Sequence, residues 1–297
     1  MGPPFFIVGS ARSGTTLLRL MLNAHPEVGI PPESRFITEL YDGRDEVDTS
    51  AFLTALAAHK RFKLWGLPIE AVTEALPPGR AAYAVAAGAP FAAWAQRRGK
   101  PRWGDKTPRY VEHVPLLARL WPGARFVHLI RDGRNVALSY ADVSFGPKTV
   151  AAAAALWARR VRGGMDDGRA LGTGRYTELR YEDLVGDPES HARRLCDFLE
   201  LDFDPGMLDH GSSGGDLVMP WATQGNPNIL RPATPGLRAW EGVMPPAQVE
   251  VFEALAGDLL AELGYPRRFA SPSGAARLRA GLGRAGLPVG RLRSSRS

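Results

Sequence analysis

The chain opens on a short unbroken apolar run, Phe5-Phe6-Ile7-Val8, that stops at Gly9. A run this short, without alternation, has the pattern of a strand buried on both faces of a parallel sheet. The next segment, GSARSGTTLLRLMLNAHP at 9–26, changes period at once. Leu17, Leu18, Leu20, Met21 and Leu22 crowd a helix that Thr15 and Thr16 begin and Pro26 ends. The opening therefore reads strand, glycine-rich loop, helix. The same alternation returns after residue 100, where the pattern predicts strands over 102–105, 125–130 and 175–181 and helices over 110–121, 133–141 and 150–171. Asp187 before Pro188 marks a further helix start, Asp as cap and Pro in the first turn, running to Leu199. Residues 211–236 read as loop, and a last helix covers 246–263. Residues 36–100 differ: they carry no strand pattern, only Ala-, Leu- and Trp-rich helical stretches broken at Pro68, Pro77-Pro78 and Gly88. The expectation is an α/β fold of phosphate-loop (P-loop) type, a three-layer α/β/α sandwich with a central parallel sheet and a mostly helical insertion.

Composition narrows this picture without changing it. At 297 residues, with 44% hydrophobic and 23% charged side chains, the chain has globular proportions, which excludes disorder, collagen and coiled coil. The one cysteine, Cys196, rules out an intramolecular disulfide and points to a reducing compartment. Apolar runs such as 151–157 fall well short of a membrane span and the N-terminus has no basic leader, so a cytoplasmic protein with no membrane span is expected. The net charge of +6 looks like a nucleic-acid signature until it is divided along the chain. Residues 267–297 hold eight Arg and no acidic residue, leaving 29 basic against 31 acidic side chains before them. One domain over 1–266 and a basic, flexible tail over 267–297 are expected, with no nucleic acid as partner. Ala-, Arg- and Gly-heavy usage fits a bacterial source, and a homodimer is compatible with the sequence.

In a parallel α/β sheet, ligands sit at the carboxyl ends of the strands, where a loop entering a helix offers free N–H groups and the positive end of its dipole. Residues 9–16 occupy that place. Gly9, four residues and Gly14 reproduce the spacing of a phosphate loop, but the Lys that should follow is replaced by Thr15-Thr16. A triphosphatase or kinase would lose the cation that reaches its terminal phosphates. Arg12, inside the loop, can instead contact a phosphate nearer the nucleoside, with Ser13, Gly14, Thr15 and Thr16 supplying N–H and hydroxyl groups. Read blandly, the loop is only a turn that lets strand and helix pack.

The segment VGSARSGTTLLRLMLNAHPEVGIPPESR, residues 8–35, resembles the 5′-phosphosulfate loop, helix and Glu-x-Arg of sulfotransferases that use 3′-phosphoadenosine 5′-phosphosulfate (PAPS), and within them the tyrosylprotein sulfotransferase branch. RFVHLIRDGRNVALSY, residues 125–140, is similar to the family's 3′-phosphate segment, a strand ending in Arg with a Ser eight residues later. Motifs and looser similarity span about residues 5–265. The resemblance implies transfer of a sulfuryl group from PAPS to an acceptor hydroxyl, a phenol, alcohol, glycan or tyrosine, with adenosine 3′,5′-bisphosphate (PAP) as the other product. Arg131 at a strand end and Ser139 two turns into the next helix suit a dianionic phosphate on ribose; their bland reading is Arg131 paired with Asp132 or Asp183 and an incidental Ser. Tyr181 resembles a nucleotide-side position of the family.

Sulfuryl transfer needs positioning, charge stabilisation on the departing bisphosphate and removal of the acceptor proton. The resemblance points to Glu33 as general base and Lys106, in WGDKTPRY, as donor to the leaving oxygen, with Arg12 supplying further charge. A solvated Glu33 pairing with Arg35, and Lys106 pairing with Asp105, are the competing local readings. No metal is expected: the sulfuryl group carries less charge than a terminal phosphate and no compact ligand cluster is visible. The family's later loop is poorly matched by residues 221–240, where Thr223, Asn226, Asn228 and Arg231 are candidates and Arg231 is the one assigned to the donor. The cytosolic branch's catalytic His has no counterpart, and His25 reads as a local hydrogen-bonding residue. Two alternatives stand: a nucleotide kinase or triphosphatase on the same loop, and a non-catalytic nucleotide-binding module.

Overall fold

In the computed structural model the described residues are 2–209, 239–284 and 287. Five strands form the central sheet: β1 (Phe5–Gly9), β2 (Val28–Gly29), β5 (Arg102–Lys106), β6 (Arg125–Ile130) and β7 (Tyr176–Arg180), with β3 (Glu46–Asp48) and β4 (Arg80–Ala82) lying outside it. The order is β2-β5-β1-β6-β7 and every neighbouring pair is parallel. All five residues of β1 are buried, as its unbroken apolar run requires, and strand alternation divides them between two cores. Phe6 and Val8 join the aromatic cluster under the 36–100 segment, with Phe36, Trp65, Phe91 and Trp103. Phe5 and Ile7 face Leu18 and Leu22 of the helix Thr15–Ala24 and Leu195 and Leu199 of the helix Pro188–Leu199. A third core joins the helices Gly133–Ala141, Val150–Arg169 and Pro246–Glu262 around Trp157 and Phe252. The three-layer α/β/α expectation is met.

The 36–100 segment is not all helix. Glu46–Asp48 pairs antiparallel with Arg80–Ala82, two strands of three residues each, too short to leave a period in the sequence. Gly88, expected to break a helix, lies inside one that runs Tyr83–Gln96 through Pro90 as well. Packing overrides propensity there: an added Cβ at Gly88 would stand 3.4 Å from the Trp103 ring. The helix expected over 110–121 starts as a 3₁₀ turn, Pro108–His113, before Val114–Leu120. Residues 267–284, read as part of a flexible tail, include the helix Gly274–Arg284, which buries Ala276 and Ala280. Small residues make that close approach possible, an added Cβ at Gly283 falling 2.2 Å from Ala151 Cβ. Asp187 caps its helix as expected, accepting from Ser190 N. Among the described residues no helix is long and apolar enough to cross a membrane.

Candidate active site

The loop after β1 is built for close approach. Gly9 has φ +153°, and a Cβ there would lie 2.5 Å from the Leu129 carbonyl of β6. Gly14, the N-cap of the helix Thr15–Ala24, has φ +91° and offers no side-chain acceptor, so the helix's first N–H groups face the carboxyl end of the sheet uncapped. Ser13 is fully buried, and its Oγ has no hydrogen-bond partner among the described residues. A buried hydroxyl of this kind next to uncapped N–H groups fits an oxyanion ligand.

Arg12 sits in the left-handed region at φ +74°, a conformation that costs a non-glycine residue about 1–2 kcal/mol. Two contacts hold it there. Arg12 Nε donates to Ser139 Oγ at 2.9 Å, and Arg131 Nη1 donates to the Arg12 carbonyl at 3.4 Å. Arg131 follows β6, and its guanidinium lies 4.5 Å over the Tyr181 ring, which follows β7. That ring covers Gly14, where a Cβ would be 2.3 Å from Tyr181 Cδ2. Arg12, Ser13, Gly14, Arg131, Ser139 and Tyr181, scattered over 170 residues of sequence, thus line one patch. Its turns are braced from behind: Asp132 N donates to Glu182 Oε1 at 3.1 Å, Tyr265 OH donates to Glu182 Oε2 at 2.8 Å, and Arg134 bridges Asp132 and Glu253 at 2.7 Å each. Arg134 and Glu253 side chains are 0% exposed, a pair whose loss of one partner costs about 3–5 kcal/mol.

At the other side of the loop, β5 ends in Lys106. Its Nζ donates to Glu33 Oε1 at 2.7 Å and to Thr16 Oγ1 at 3.4 Å, so the local partner Asp105 is not the one the fold selects. Lys106 is 5% and Glu33 28% exposed in their side chains. Burial by itself raises the Glu33 carboxyl, but the Lys106 ammonium, helped by Arg61 and Arg35, outweighs it and holds the group below the ordinary carboxylate range. Burial lowers the Lys106 ammonium despite Glu33. The arrangement is an ionised carboxylate and a cation in contact at the mouth of a phosphate-type loop. Lys106, Glu33 and Thr16 therefore meet there. Arg231, with Thr223, Asn226 and Asn228, lies outside the described residues. His25 is a local residue, as read: Nδ1 accepts from Glu27 N at 3.1 Å, leaving Nε2–H to donate to the Asp202 carbonyl at 2.7 Å.

Two contributors escaped the sequence reading. Arg19, 3% exposed, passes under the site and donates from Nη1 to the Pro31 carbonyl at 3.3 Å, fixing the segment that carries Glu33; burial lowers its guanidinium to about 10. Its position in an apolar helix was the signal, because an Arg there needs a polar destination. Asp105 is the second, fully buried beside Lys106 with its carboxyl pushed up to about 7 by burial.

In sequence and in fold the chain is similar to known sulfotransferases. The chain is 27% identical over 270 residues to protein-tyrosine sulfotransferase A of Caenorhabditis elegans, covering 89% of this chain and 67% of that protein. It is 25% identical to the Drosophila melanogaster protein-tyrosine sulfotransferase, of which it spans only 52%. Among solved structures, the sulfotransferase domain of the Synechococcus PCC 7002 olefin synthase superposes with a TM-score of 0.64 at 27% identity, covering 89% of this chain and 96% of that one. A mouse sulfotransferase solved with PAP shares the fold at a TM-score of 0.50 and 13% identity, covering 96% of this chain and 89% of that one. Residues 3–205 match the profile of the "Sulfotransferase family", and with that match spanning more than half its length the chain belongs to the sulfotransferase family.

Proposed function

We propose that this chain transfers the sulfuryl group of PAPS to an acceptor hydroxyl by in-line displacement, with Glu33 as general base. The observation that carries the reading is the Lys106–Glu33 contact of 2.7 Å, placed by Thr16 against the first turn of the phosphate-loop helix. PAPS supplies the activated S–O bond that breaks. Arg12, Ser13, Gly14, Thr15 and Thr16 would hold its 5′ phosphosulfate, and Arg131 with Ser139 its 3′-phosphate, while Tyr181 covers the nucleotide side.

In the resting site Lys106 neutralises Glu33. Turned toward the oxygen between sulfur and phosphorus, the ammonium stabilises charge on the leaving bisphosphate and releases the carboxylate. Glu33 then becomes a stronger base as the acceptor oxygen loses its proton. A carboxylate with a reference pKa of about 4.3 is too weak to ionise a hydroxyl of about 10 in advance, so proton transfer accompanies S–O bond formation. The missing loop Lys argues against a kinase on the same scaffold. The acceptor is a hydroxyl compound, its class open among phenols, alcohols, glycans and tyrosine.

Calorimetric titration with PAP, beside AMP and ATP with magnesium, tests the donor site. Micromolar binding of PAP, about 8 kcal/mol, with little response to AMP is expected, and Arg131→Ala removes the preference for the 3′-phosphate. Preference for ATP with magnesium would contradict the reading and favour the kinase alternative.

A further inference from the structure

The end of β5 presents two ionisable side chains in opposite directions. Lys106 pairs in register with Ile7 and shares its face with the phosphate-loop helix, whereas Asp105 pairs with Phe6 and faces the 36–100 segment. Glu33 meets Lys106 on the first face. Its neighbour Ser34 is tied down on the second. Ser34 N donates to Thr107 Oγ1 at 3.1 Å, Ser34 Oγ lies 3.3 Å from Thr107 Oγ1 and 2.9 Å from Tyr110 OH, and Thr107 Oγ1 donates to Asp105 Oδ2 at 3.2 Å. Ile37 N donates to Tyr110 OH at 3.2 Å.

Thr107 Oγ1 donates to Asp105 Oδ2 and the Ile37 amide to Tyr110 OH, while either hydroxyl can donate in the contacts of Ser34 Oγ with Thr107 and Tyr110. Asp105, Thr107 and Ser34 are 0% exposed and Tyr110 1%, so water does not compete for these bonds. Asp105 Oδ1 is buried with no hydrogen-bond partner among the described residues, so Thr107 on Oδ2 is the contact through which this carboxyl joins the chain. The segment bearing Glu33 therefore straddles the strand end, anchored on both faces.

We propose that the Asp105–Thr107–Ser34–Tyr110 chain is the positioning device of the general base, holding residues 31–35 so that Glu33 stands against Lys106 and the acceptor oxygen. The proposal rests on Glu33 being the base. These residues act through Glu33 and touch no reacting atom. Misplacing a catalytic group by about 1 Å costs on the order of 100-fold in rate.

The test is a double-mutant cycle on the full chain. Transfer is followed as PAP release from PAPS, with the acceptor that turns over fastest among 4-nitrophenol, a simple alcohol and a tyrosine peptide, or with water as acceptor. Thr107→Val is expected to lower kcat about 10- to 100-fold while leaving the Kd of PAP within about twofold, and Thr107→Ser to restore most of the rate. In a Glu33→Gln background the same Thr107→Val change should cost less than about twofold, because the group it positions is gone. Tyr110→Phe, at the far end of the chain, repeats the pattern with a smaller loss should the valine variant fold poorly. Equal losses in both backgrounds, or PAP affinity falling in step with kcat, would overturn the proposal and leave the chain a core network. Normal turnover by Glu33→Gln would overturn the base assignment itself and this proposal with it.

Discussion

Replacing Gly14 by Ala adds one methyl group at the narrowest point of the site. At φ +91° the new residue would occupy the left-handed region, at a cost of about 1–2 kcal/mol. Its Cβ would also stand 2.3 and 2.5 Å from Tyr181 Cδ2 and Cε2, where ordinary carbon contacts begin near 3.5 Å. The ring must move by about 1 Å, which disturbs its packing with the Arg131 guanidinium, 4.5 Å from its centroid. Overpacking of this kind costs about 1–3 kcal/mol. If the ring yields, the loss passes to the donor patch, and PAP affinity falls about 10- to 100-fold, equivalent to about 1.4–2.7 kcal/mol. Calorimetry on Gly14→Ala, Tyr181→Ala and the double variant separates the terms. Beside Tyr181→Ala, the glycine replacement should retain only its backbone cost, read as a Tm decrease without further loss of PAP affinity. Wild-type PAP affinity in Gly14→Ala, or an undiminished affinity penalty once the ring is gone, would refute the placement of Tyr181 over the loop.

Two further outcomes concern charge. Lys106→Met leaves burial as the dominant influence on Glu33, so the acid limb of the kcat profile moves to higher pH; a limb that stays in place contradicts Lys106 as the group holding that carboxylate ionised. Asp105 titrates near 7 in the fold against about 3.9 unfolded, so the unfolded chain releases this proton first, and stability is lost as pH rises between the two values, by up to about 4 kcal/mol above 7. Asp105→Asn, which keeps an acceptor for Thr107, should therefore raise Tm over the wild type at pH 8 and lose that advantage near pH 4; a pH-independent difference would contradict the assignment.

The legible parts of this protein were those whose physics is local. The run Phe5–Val8, the Gly9-to-Gly14 spacing and the Asp187 cap each report on a few consecutive residues, and each landed where expected. Strand ends also told truly, because Arg131, Tyr181 and Lys106 inherit their place from β6, β7 and β5. Partners across the sheet did not. Glu33 could equally have paired with Arg35, and Lys106 with Asp105, until the register of β1 and β5 put Lys106 on the phosphate-loop side and Asp105 on the other. Gly88 misled because the aromatic core around Trp94 and Trp103 outweighs helix propensity. The Gly274–Arg284 helix was hidden by composition, its contact surface being two alanines and a glycine rather than an apolar stripe.

In the proposed mechanism Glu33 takes the acceptor proton while other residues hold the donor, and Glu33→Gln separates the two roles through PAP binding and PAPS turnover on the same preparation. Unchanged PAP affinity with transfer slowed at least about 100-fold is the predicted result. Turnover within a few-fold of the wild type would remove Glu33 from the chemistry.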